Sequence, residues 1–480
     1  MLPHEGYLLA ELWLNQWKSP LALERVRERK IRRLISHAYH KVPFYRAIFE
    51  DRKIRPEDIR TPADLEALPI ISKKDLQGLS AGEKLAAGYH PRKGRTFLTS
   101  GTTGRPLAVC YSRRDWTMIN IGSARAFFSM GMRPWHRMAS FVGKAAARKN
   151  KKWYEYLGMW RGRDLSSWEN PRSWVAALRL WRPHVLVGYV MTLKILGEAV
   201  RDEGRQPWAP ALLISGSGVL DDFTRRFLAS TFACPVRDYY ASFEAGTIAW
   251  ECPTCGGYHL SSDTVIVETL ADGKPVPPGQ SGEVVITNLH AYAMPFIRYR
   301  QEDEAVLSAR RPKCGRGLPL LDRIHGRADD CVVLNDGRKI PSQPFYYSIE
   351  PVRGVKRWKV TQEDLLTIRI DIEPGPEFTE NSRRTIEQNL RKAIGEGMTI
   401  TFSIGPSIPV EPGQKFRQVT SRVAGSVMGR PRRVEAAPAW VARSRSRAIN
   451  RTQRSPRHER PRKGGPSREG PFDRRTPRTL

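Results

Sequence analysis

The 480-residue chain lacks several features that would each assign it to a class of protein. It contains no run of about 18 apolar residues, so we expect no membrane span. The first segment carries Glu5 and Glu11 and has neither a basic start nor a small-residue cleavage site. We therefore expect no signal peptide and a cytoplasmic protein. Six cysteines are too few for a disulfide framework in so long a chain, which favours reduced thiols or a metal site.

Motifs for several kinds of chemistry are also missing. No G-x-S-x-G turn accompanies the histidines, so we interpret four of them as structural: His136, His184, His290 and His325. The sequence has no zinc-finger spacing, helix-turn-helix pattern or RNA-binding aromatic motif. A specific nucleic-acid partner is therefore not indicated, although the net charge is +31.

Much of the positive charge lies near the end of the printed sequence. Residues 430–480 hold 16 lysines and arginines against 4 acidic residues, and they are rich in Arg, Pro, Ser and Gly. Such a composition cannot bury enough apolar surface to offset the entropy of ordering, so we predict a disordered tail over 425–480. A solubilising extension explains this tail, and contact with nucleic acid or an acidic polymer is the alternative.

The remaining chain is long enough for two or more hydrophobic cores. Strand-then-helix patterns at 185–200, with a turn at Gly188, and at 211–230 predict a parallel α/β sheet, and 236–252 repeats the pattern less regularly. After about residue 260 the sequence is rich in strands, which indicates an antiparallel subdomain. Residues 355–404 follow the order strand, strand, helix, strand of a small α+β unit.

A turn rich in glycine and hydroxyls lies at 99–106, with the sequence TSGTTGRP between two apolar runs. Glycines expose backbone N–H groups, and Ser and Thr add hydroxyl donors, so the turn suits a polyphosphate. It is not a Walker A motif, because no Gly-Lys-Ser/Thr follows the second glycine. By itself the stretch is also compatible with an ordinary hairpin.

A second cluster of reactive side chains lies in ECPTCGGYH, where Cys252, Cys255 and His259 have the spacing C-x₂-C-x₃-H. Cys314 is a candidate fourth ligand. Three thiolates and an imidazole suit tetrahedral Zn²⁺ in a structural site. The alternative is a loop of reduced cysteines.

Seven motifs occur in the order in which one family has them. They are TSGTTGRP (99–106), SGSGVL (215–220), YYASFEAG (239–246), GEVVITNL (282–289), MPFIRYRQED (294–303), RIHGRADD (323–330) and PGQKFRQV (412–419). The chain resembles the adenylate-forming superfamily and looks most like phenylacetate–CoA ligase and its relatives in capsule biosynthesis. The resemblance implies a large adenylate-forming domain over 1–326 and a small α+β lid domain over 327–424.

The resemblance also implies a reaction. A carboxylic acid reacts with ATP to give an acyl adenylate, and coenzyme A then accepts the acyl group and releases AMP. Small-molecule acid, ATP, Mg²⁺ and coenzyme A are the expected ligands, and a monomer or a homodimer is expected.

Residue roles follow from the positions that match the motifs. The phosphate loop would hold the β- and γ-phosphates with Thr99, Ser100, Gly101, Thr102, Thr103, Gly104 and Arg105. The nucleotide pocket would be lined by Ser215, Gly216, Ala241 and Ser242, with Tyr240 on the adenine and Asp303 on the ribose hydroxyls. Glu244 would bind Mg²⁺, Arg327 would contact phosphate or ribose, Asp329 would be the hinge, and Lys415 would stabilise the transition state.

Two positions depart from the family pattern. Leu107 stands where many members have a lysine, and Glu302 stands where they have a glycine. These departures leave open a catalytically degenerate protein that binds nucleotide or polyanion. An adenylating enzyme with an acceptor other than coenzyme A also remains open. The aromatic residues between Trp153 and Trp168 could line an acyl pocket, with ordinary packing as the alternative.

Overall fold

The structure is a computed structural model, and it describes residues 3–99, 107–142, 153–166, 169–204, 208–327, 331–335, 339–341, 343–349, 351–408 and 418–423. The described helices are α1 (Pro3–Asn15), α2 (Pro20–Lys41), α3 (Pro43–Arg52), α4 (Lys73–Gln77), α5 (Ala81–Lys84), α6 (Arg113–Met130), α7 (Trp153–Tyr156), α8 (Pro171–Trp181), α9 (Val190–Asp202), α10 (Asp222–Phe232), α11 (Gln343–Ile349) and α12 (Glu380–Ile394).

The described strands fall into a hairpin, one large sheet and two smaller sheets. They are β1 (Arg95–Leu98), β2 (Ala108–Tyr111), β3 (Met138–Val142), β4 (Gly162–Ser166), β5 (Val185–Tyr189), β6 (Leu212–Gly216), β7 (Val236–Ser242), β8 (Gly246–Glu251), β9 (Tyr258–Leu260), β10 (Val265–Ala271), β11 (Lys274–Pro275), β12 (Ser281–Asn288), β13 (Tyr299–Leu307), β14 (Leu320–Arg327), β15 (Cys331–Val333), β16 (Lys339–Pro341), β17 (Val355–Gln362), β18 (Thr367–Pro374), β19 (Thr399–Ile404) and β20 (Val419–Ser421).

The large sheet has a parallel half and an antiparallel half. Its order is β11-β10-β12-β13-β14-β9-β8-β7-β6-β5-β3-β4. The strands β4, β3, β5, β6 and β7 run parallel, and from β7 to β11 every pairing is antiparallel. This mixed sheet confirms the expected α/β region followed by a strand-rich subdomain, and β7 is the strand at which the two halves meet.

Helices α8, α9 and α10 cover the parallel half with apolar side chains. Leu186 and Leu213 on the strands pack with Leu193, Leu196 and Leu228 on the helices, and all five are fully or almost fully buried. Such continuous apolar runs are what a parallel strand covered on both faces requires. The strand-then-helix prediction for 211–230 is therefore confirmed.

Two local expectations are wrong. Gly188 is not a turn, because it lies inside β5 and pairs with Ser215; a Cβ there would lie 3.2 Å from the side chains of Leu193 and Phe141. The stretch 236–252 does not repeat the strand-then-helix plan, because β7 and β8 form an antiparallel pair instead. Four of the five residues after Gly246 are buried, and such a run does not distinguish a strand from a helix by periodicity.

The four-stranded sheet has the order β19-β18-β17-β20 and carries α12. Its core contains Trp358, Val360, Ile370, Ile386 and Leu390, all fully buried. The expected order of strand, strand, helix, strand over 355–404 is confirmed. The assignment of this sheet to a separate lid domain stays a prediction.

A buried ionic cluster joins the N-terminal helices to the large sheet. Arg125 on α6 donates to both carboxylate oxygens of Asp263 at 2.7 and 2.8 Å, and both side chains are fully buried. Asn15 on α1 donates to Asp263 at 3.1 Å, and Lys30 on α2 donates to its backbone oxygen at 2.7 Å. Burial would raise the pKa of Asp263, but Arg125 and then Lys30 hold it below its ordinary value. Asp263 thus ties α1 and α6 through its carboxylate and α2 through its backbone oxygen to the segment between β9 and β10.

Candidate active site and metal centre

The hairpin of β1 and β2 closes the base of the glycine-rich turn. The Thr99 N–H donates to the Leu107 oxygen at 3.0 Å, and the Leu107 N–H donates to the Thr99 hydroxyl at 3.1 Å. The Thr99 side chain therefore holds the two ends of the loop together. Leu107, in the position that many family members give to lysine, is 1% exposed and belongs to the core.

Tyr240 and Asp303 come together although 63 residues separate them in sequence. The Tyr240 hydroxyl donates to the Asp303 carboxylate at 2.5 Å. Tyr240 lies on β7, in the middle of the large sheet, and Asp303 lies on β13 in its antiparallel half. The structure thus brings together the residue expected at adenine and the residue expected at ribose.

A bulge in β13 positions Asp303. The register of β12 and β13 shifts between Glu283 and Val285, which pair with Glu304 and Arg300 respectively. Bulges of this kind redirect side chains and are common next to active sites.

Glu302 lies inside this bulge with a φ of 62°, in the left-handed region that favours glycine. A glycine, which the family pattern has at this position, would adopt this conformation without strain. The chain keeps the glycine conformation with a side chain that makes it less favourable. On the other side of β13, Asp303 pairs with Arg327 of β14, so these two predicted site residues are neighbours across the ladder.

Glu244 lies in the turn between β7 and β8, and 8% of it is exposed. Its backbone oxygen accepts from the Asn288 side chain at 2.9 Å, and its carboxylate accepts from the Tyr299 hydroxyl at 3.4 Å. Next to it, Ser242 accepts from the Ala245 N–H at 3.1 Å. The turn that presents the expected magnesium ligand is therefore held by hydrogen bonds on both sides.

Ser215, a predicted pocket residue on β6, is hydrogen-bonded to a carboxylate that no sequence motif indicated. Ser215 is fully buried and donates to Asp238 on β7 at 2.6 Å, and the Tyr258 hydroxyl donates to the other carboxylate oxygen at 2.9 Å. Burial raises the pKa of Asp238 to about 7. Gly216 lies beside Tyr239, whose ring would be 2.6 Å from an added Cβ. The Ser215 hydroxyl thus fixes the strands rather than pointing to solvent.

The four predicted metal ligands converge. The ligand atoms of Cys252, Cys255, His259 and Cys314 all lie within 4.8 Å of one another. The His259 Nδ1 is 3.1 Å from the Leu318 oxygen, and its Nε2 is 3.2 Å from the Cys314 sulfur. A hydrogen bond from Nδ1–H to a backbone oxygen leaves the Nε2 lone pair for a metal.

The surroundings of the cluster also match a closed structural site. Cys252 and His259 are buried, and burial raises the pKa of the Cys252 thiol to about 11 and lowers the pKa of His259 to about 4. His259 is therefore neutral, as metal binding requires. Three thiols and one imidazole at these separations fit tetrahedral Zn²⁺.

A small cavity next to Glu244 was not predicted. Its volume is about 10 Å³, about the room for one water. The lining side chains come mainly from α6 and from the strands around Glu244: Met118, Ile119, Gly122, Ala245, Thr247, Thr264, Asn288 and His290. His290 lies 3.1 Å from the Lys30 ammonium, and burial lowers its pKa to about 3; its structural role stays a prediction.

Among the described residues of the aromatic segment, neither Tyr156 nor Trp160 lines this cavity. Tyr156 is 74% exposed, and the Trp160 ring lies 6.1 Å from that of Phe128. Other expected site residues lie outside the described part of the chain: Ser100, Gly101, Thr102, Thr103, Gly104, Arg105, Asp329 and Lys415. Their roles stay predictions, as do the roles of the described site residues.

Comparison with known proteins gives relatives by sequence. No family model matches the chain. A phenylacetate–coenzyme A ligase of Thermus thermophilus is 26% identical over 333 residues, which cover 67% of this chain and 74% of that ligase. The phenylacetate–coenzyme A ligase of Escherichia coli is 27% identical over 348 residues, covering 67% and 75%. Protein CapK of Staphylococcus aureus is 22% identical over 388 residues, covering 78% and 84%.

Solved structures share the fold. A crystal structure of 2-hydroxyisobutyryl-CoA ligase in the postadenylation state, with R3-HIB-AMP, matches with a TM-score of 0.72 at 18% identity and covers 91% of this chain and 93% of that one. An open conformation of the same ligase, with 2-HIB-AMP and CoA, gives a TM-score of 0.57 at 18% identity and covers 82% and 90%. The expected fold is therefore confirmed.

Proposed function

Since the chain belongs to the adenylate-forming superfamily, in its phenylacetate–CoA ligase branch, we propose that it activates a carboxylic acid with ATP and transfers the acyl group to coenzyme A. The observation that carries the proposal is the contact between Tyr240 and Asp303 beside the buried Glu244 turn. A carboxylate has about four lone-pair sites, so one bond from Tyr240 is compatible with two bonds from ribose hydroxyls.

The reaction has two balanced steps. A carboxylate oxygen of the acid attacks the α-phosphorus of ATP, the bond from that phosphorus to the bridging oxygen breaks, and pyrophosphate leaves. The thiolate of coenzyme A then attacks the acyl carbon, and AMP leaves with the electrons of the broken carbon–oxygen bond. In this proposal Glu244 would hold Mg²⁺, which would supply neutralising charge for the phosphates, and Lys415 would stabilise the charge that builds on the α-phosphate.

The cavity beside Glu244 is the proposed place for the acyl group. It is lined by Met118 and Ile119 on α6 and by Thr247 on β8. A volume of about 10 Å³ is room for one water, so any acyl group would enter only if α6 or β8 moves, and a small group would need the least movement. Short aliphatic acids therefore belong in the substrate panel beside phenylacetate. The similarity to CapK extends the proposal to a role in capsule biosynthesis.

Zinc is the proposed structural cofactor. The convergence of three sulfurs and one imidazole nitrogen within 4.8 Å supports it. Tyr258, directly before the ligand His259, donates to Asp238 on β7 at 2.9 Å. We infer that the metal braces the strands that present the nucleotide pocket and takes no part in the reaction.

The test is acid-dependent exchange of labelled pyrophosphate into ATP, followed by an assay for acyl-CoA with the best acid. Exchange with at least one acid is expected. Lys415→Ala should lower exchange by about 10²-fold or more while ATP still binds, because one transition-state contact is lost. Lys392→Ala is the matched control, since this exposed lysine lies on α12.

Three results would contradict the proposal in different ways. A folded protein that binds ATP but exchanges with no acid is a degenerate nucleotide-binding protein, a possibility raised by the buried Leu107. Exchange without acyl-CoA formation means another acceptor. Full activity of Lys415→Ala means that the lysine is wrongly assigned.

A further inference from the structure

The outward face of α1 and of the turn after it is apolar. Tyr7 is 67% exposed, Leu14 is 63% exposed and Trp17 is 46% exposed. Leu21, at the start of α2, is 61% exposed. Tyr7 and Leu14 lie seven positions apart on α1 and so near one side of that helix, and Trp17 and Leu21 follow in the turn after it and at the start of α2. Together with Trp13 they form what we call the α1 stripe.

Packing in the described part of the chain does not account for the α1 stripe. The opposite side of α1 already supplies the core contacts, because Leu12 is fully buried against Met118 and Ile121 of α6. Asn15 at the end of α1 is also buried and bonds to Asp263. Large apolar side chains grouped on a surface, with the helix already anchored by its other face, mark an interaction site.

Basic residues lie beside the α1 stripe. The Arg316 guanidinium lies 4.6 Å from the Trp17 ring centre, so the basic loop RPKCGRG at 311–317 adjoins the stripe. On α2, the exposed residues from Leu21 to Arg33 are, after Leu21 itself, four arginines and one acid: Glu24, Arg25, Arg29, Arg32 and Arg33. The apolar stripe is therefore continuous with a cationic rim.

We propose that the α1 stripe and its cationic rim dock the protein on an anionic lipid bilayer surface. Trp and Tyr prefer the boundary between headgroups and acyl chains, and basic side chains beside them pair with anionic headgroups. A second copy of this chain fits less well, because a symmetric contact would bring two cationic rims together. No helix in the described residues is long and apolar enough to cross a membrane, so the docking is peripheral.

The experiment is co-flotation of the full-length protein with phosphatidylcholine vesicles that contain or lack phosphatidylglycerol. The wild type should bind only the vesicles with phosphatidylglycerol, and added salt should weaken binding. Tyr7→Ser with Leu14→Ser should weaken binding by roughly tenfold or more, because both side chains leave the lipid interface. The matched control is Leu157→Ser with Leu180→Ser, since these leucines are 65% and 86% exposed elsewhere on the surface.

Two outcomes would overturn the proposal, and a folding control accompanies them. Equal binding by the Tyr7→Ser/Leu14→Ser variant and the wild type would show that other basic segments, such as the tail, bind the lipid. The second outcome is a wild type that binds neither vesicle and sediments as a dimer that the Tyr7→Ser/Leu14→Ser variant breaks. That result would make the α1 stripe a contact between copies of this chain. Equal melting temperatures of the two double variants would exclude misfolding as the cause of lost binding.

Discussion

Asp238 provides a test of the structure that does not depend on a ligand. Its carboxyl group is buried between β6 and β9, where Ser215 and Tyr258 donate to it. Burial, the largest effect, raises its pKa from 3.8 to about 7, although both hydrogen bonds act in the opposite direction. The folded protein therefore binds this proton more tightly than the unfolded chain does.

The sign of the pH dependence follows from that difference. Well below pH 3.8 both states are protonated and Asp238 adds no pH-dependent term. As the pH rises towards 7, the unfolded chain loses the proton first, so stability falls with pH. A shift from 3.8 to about 7 corresponds to about 4 kcal/mol, of which about 2.5 kcal/mol develops between pH 5 and pH 7.5.

Asp238→Asn removes the titrating group and keeps its shape. The free energy of unfolding is measured in urea at about pH 5 and pH 7.5. Relative to the wild type, that of the variant should increase by about 2 kcal/mol over this interval. Asp222→Asn, an exposed carboxylate on α10, is the control and should show no comparable gain. If Asp238→Asn and the wild type have parallel pH profiles, the Asp238 carboxyl is not desolvated in the way that the structure shows.

Three further predictions concern the candidate site. Tyr240→Phe removes a hydrogen bond to the Asp303 carboxylate, so the Kd for ATP measured by calorimetry should rise roughly tenfold with little change in fold. Glu302→Gly should be about 1 kcal/mol more stable to urea than Glu302→Ala, because only the alanine keeps a Cβ at a φ of 62°. Elemental analysis should find zinc in the wild type and not in His259→Ala, and the variant should melt at a lower temperature. Equal zinc content in the variant, or none in the wild type, would contradict the proposed metal site.

Local patterns in the sequence were enough to predict several elements. The strand-then-helix pattern at 211–230 became β6 and α10, because a buried apolar run is followed by Asp221, which caps the helix by accepting from the N–H groups of Phe223 and Thr224. The spacing of Cys252, Cys255 and His259 indicated a cluster, and Cys314 joined it as expected. These predictions depended on residues close in sequence or on a ligand set with few alternatives.

Other features depend on contacts between distant segments and could not be predicted in this way. β8 is buried on both faces, so its sequence has no alternation that distinguishes a strand from a helix. Its antiparallel pairing with β7, which begins at Gly246, could therefore not be predicted. Asp238 looked like an ordinary carboxylate, because its partners Ser215 and Tyr258 are about 20 residues away on either side. The cavity beside Glu244 is similarly assembled from α6, β8 and the loop after β12.

Asp238 connects the proposed metal cluster to the proposed nucleotide pocket through hydrogen bonds. His259 lies next to Tyr258 on β9, and Tyr258 bonds to Asp238, which in turn holds Ser215 on β6. Two residues after Asp238 on the same strand, Tyr240 bonds to Asp303. Without a metal on His259, β9 would be less well fixed, and so would the hydrogen bond from Tyr258 to Asp238. We therefore expect His259→Ala to bind ATP more weakly than the wild type, although His259 lies outside the proposed nucleotide pocket. The hydrogen bond between Tyr240 and Asp303 is the contact through which we expect the change to act.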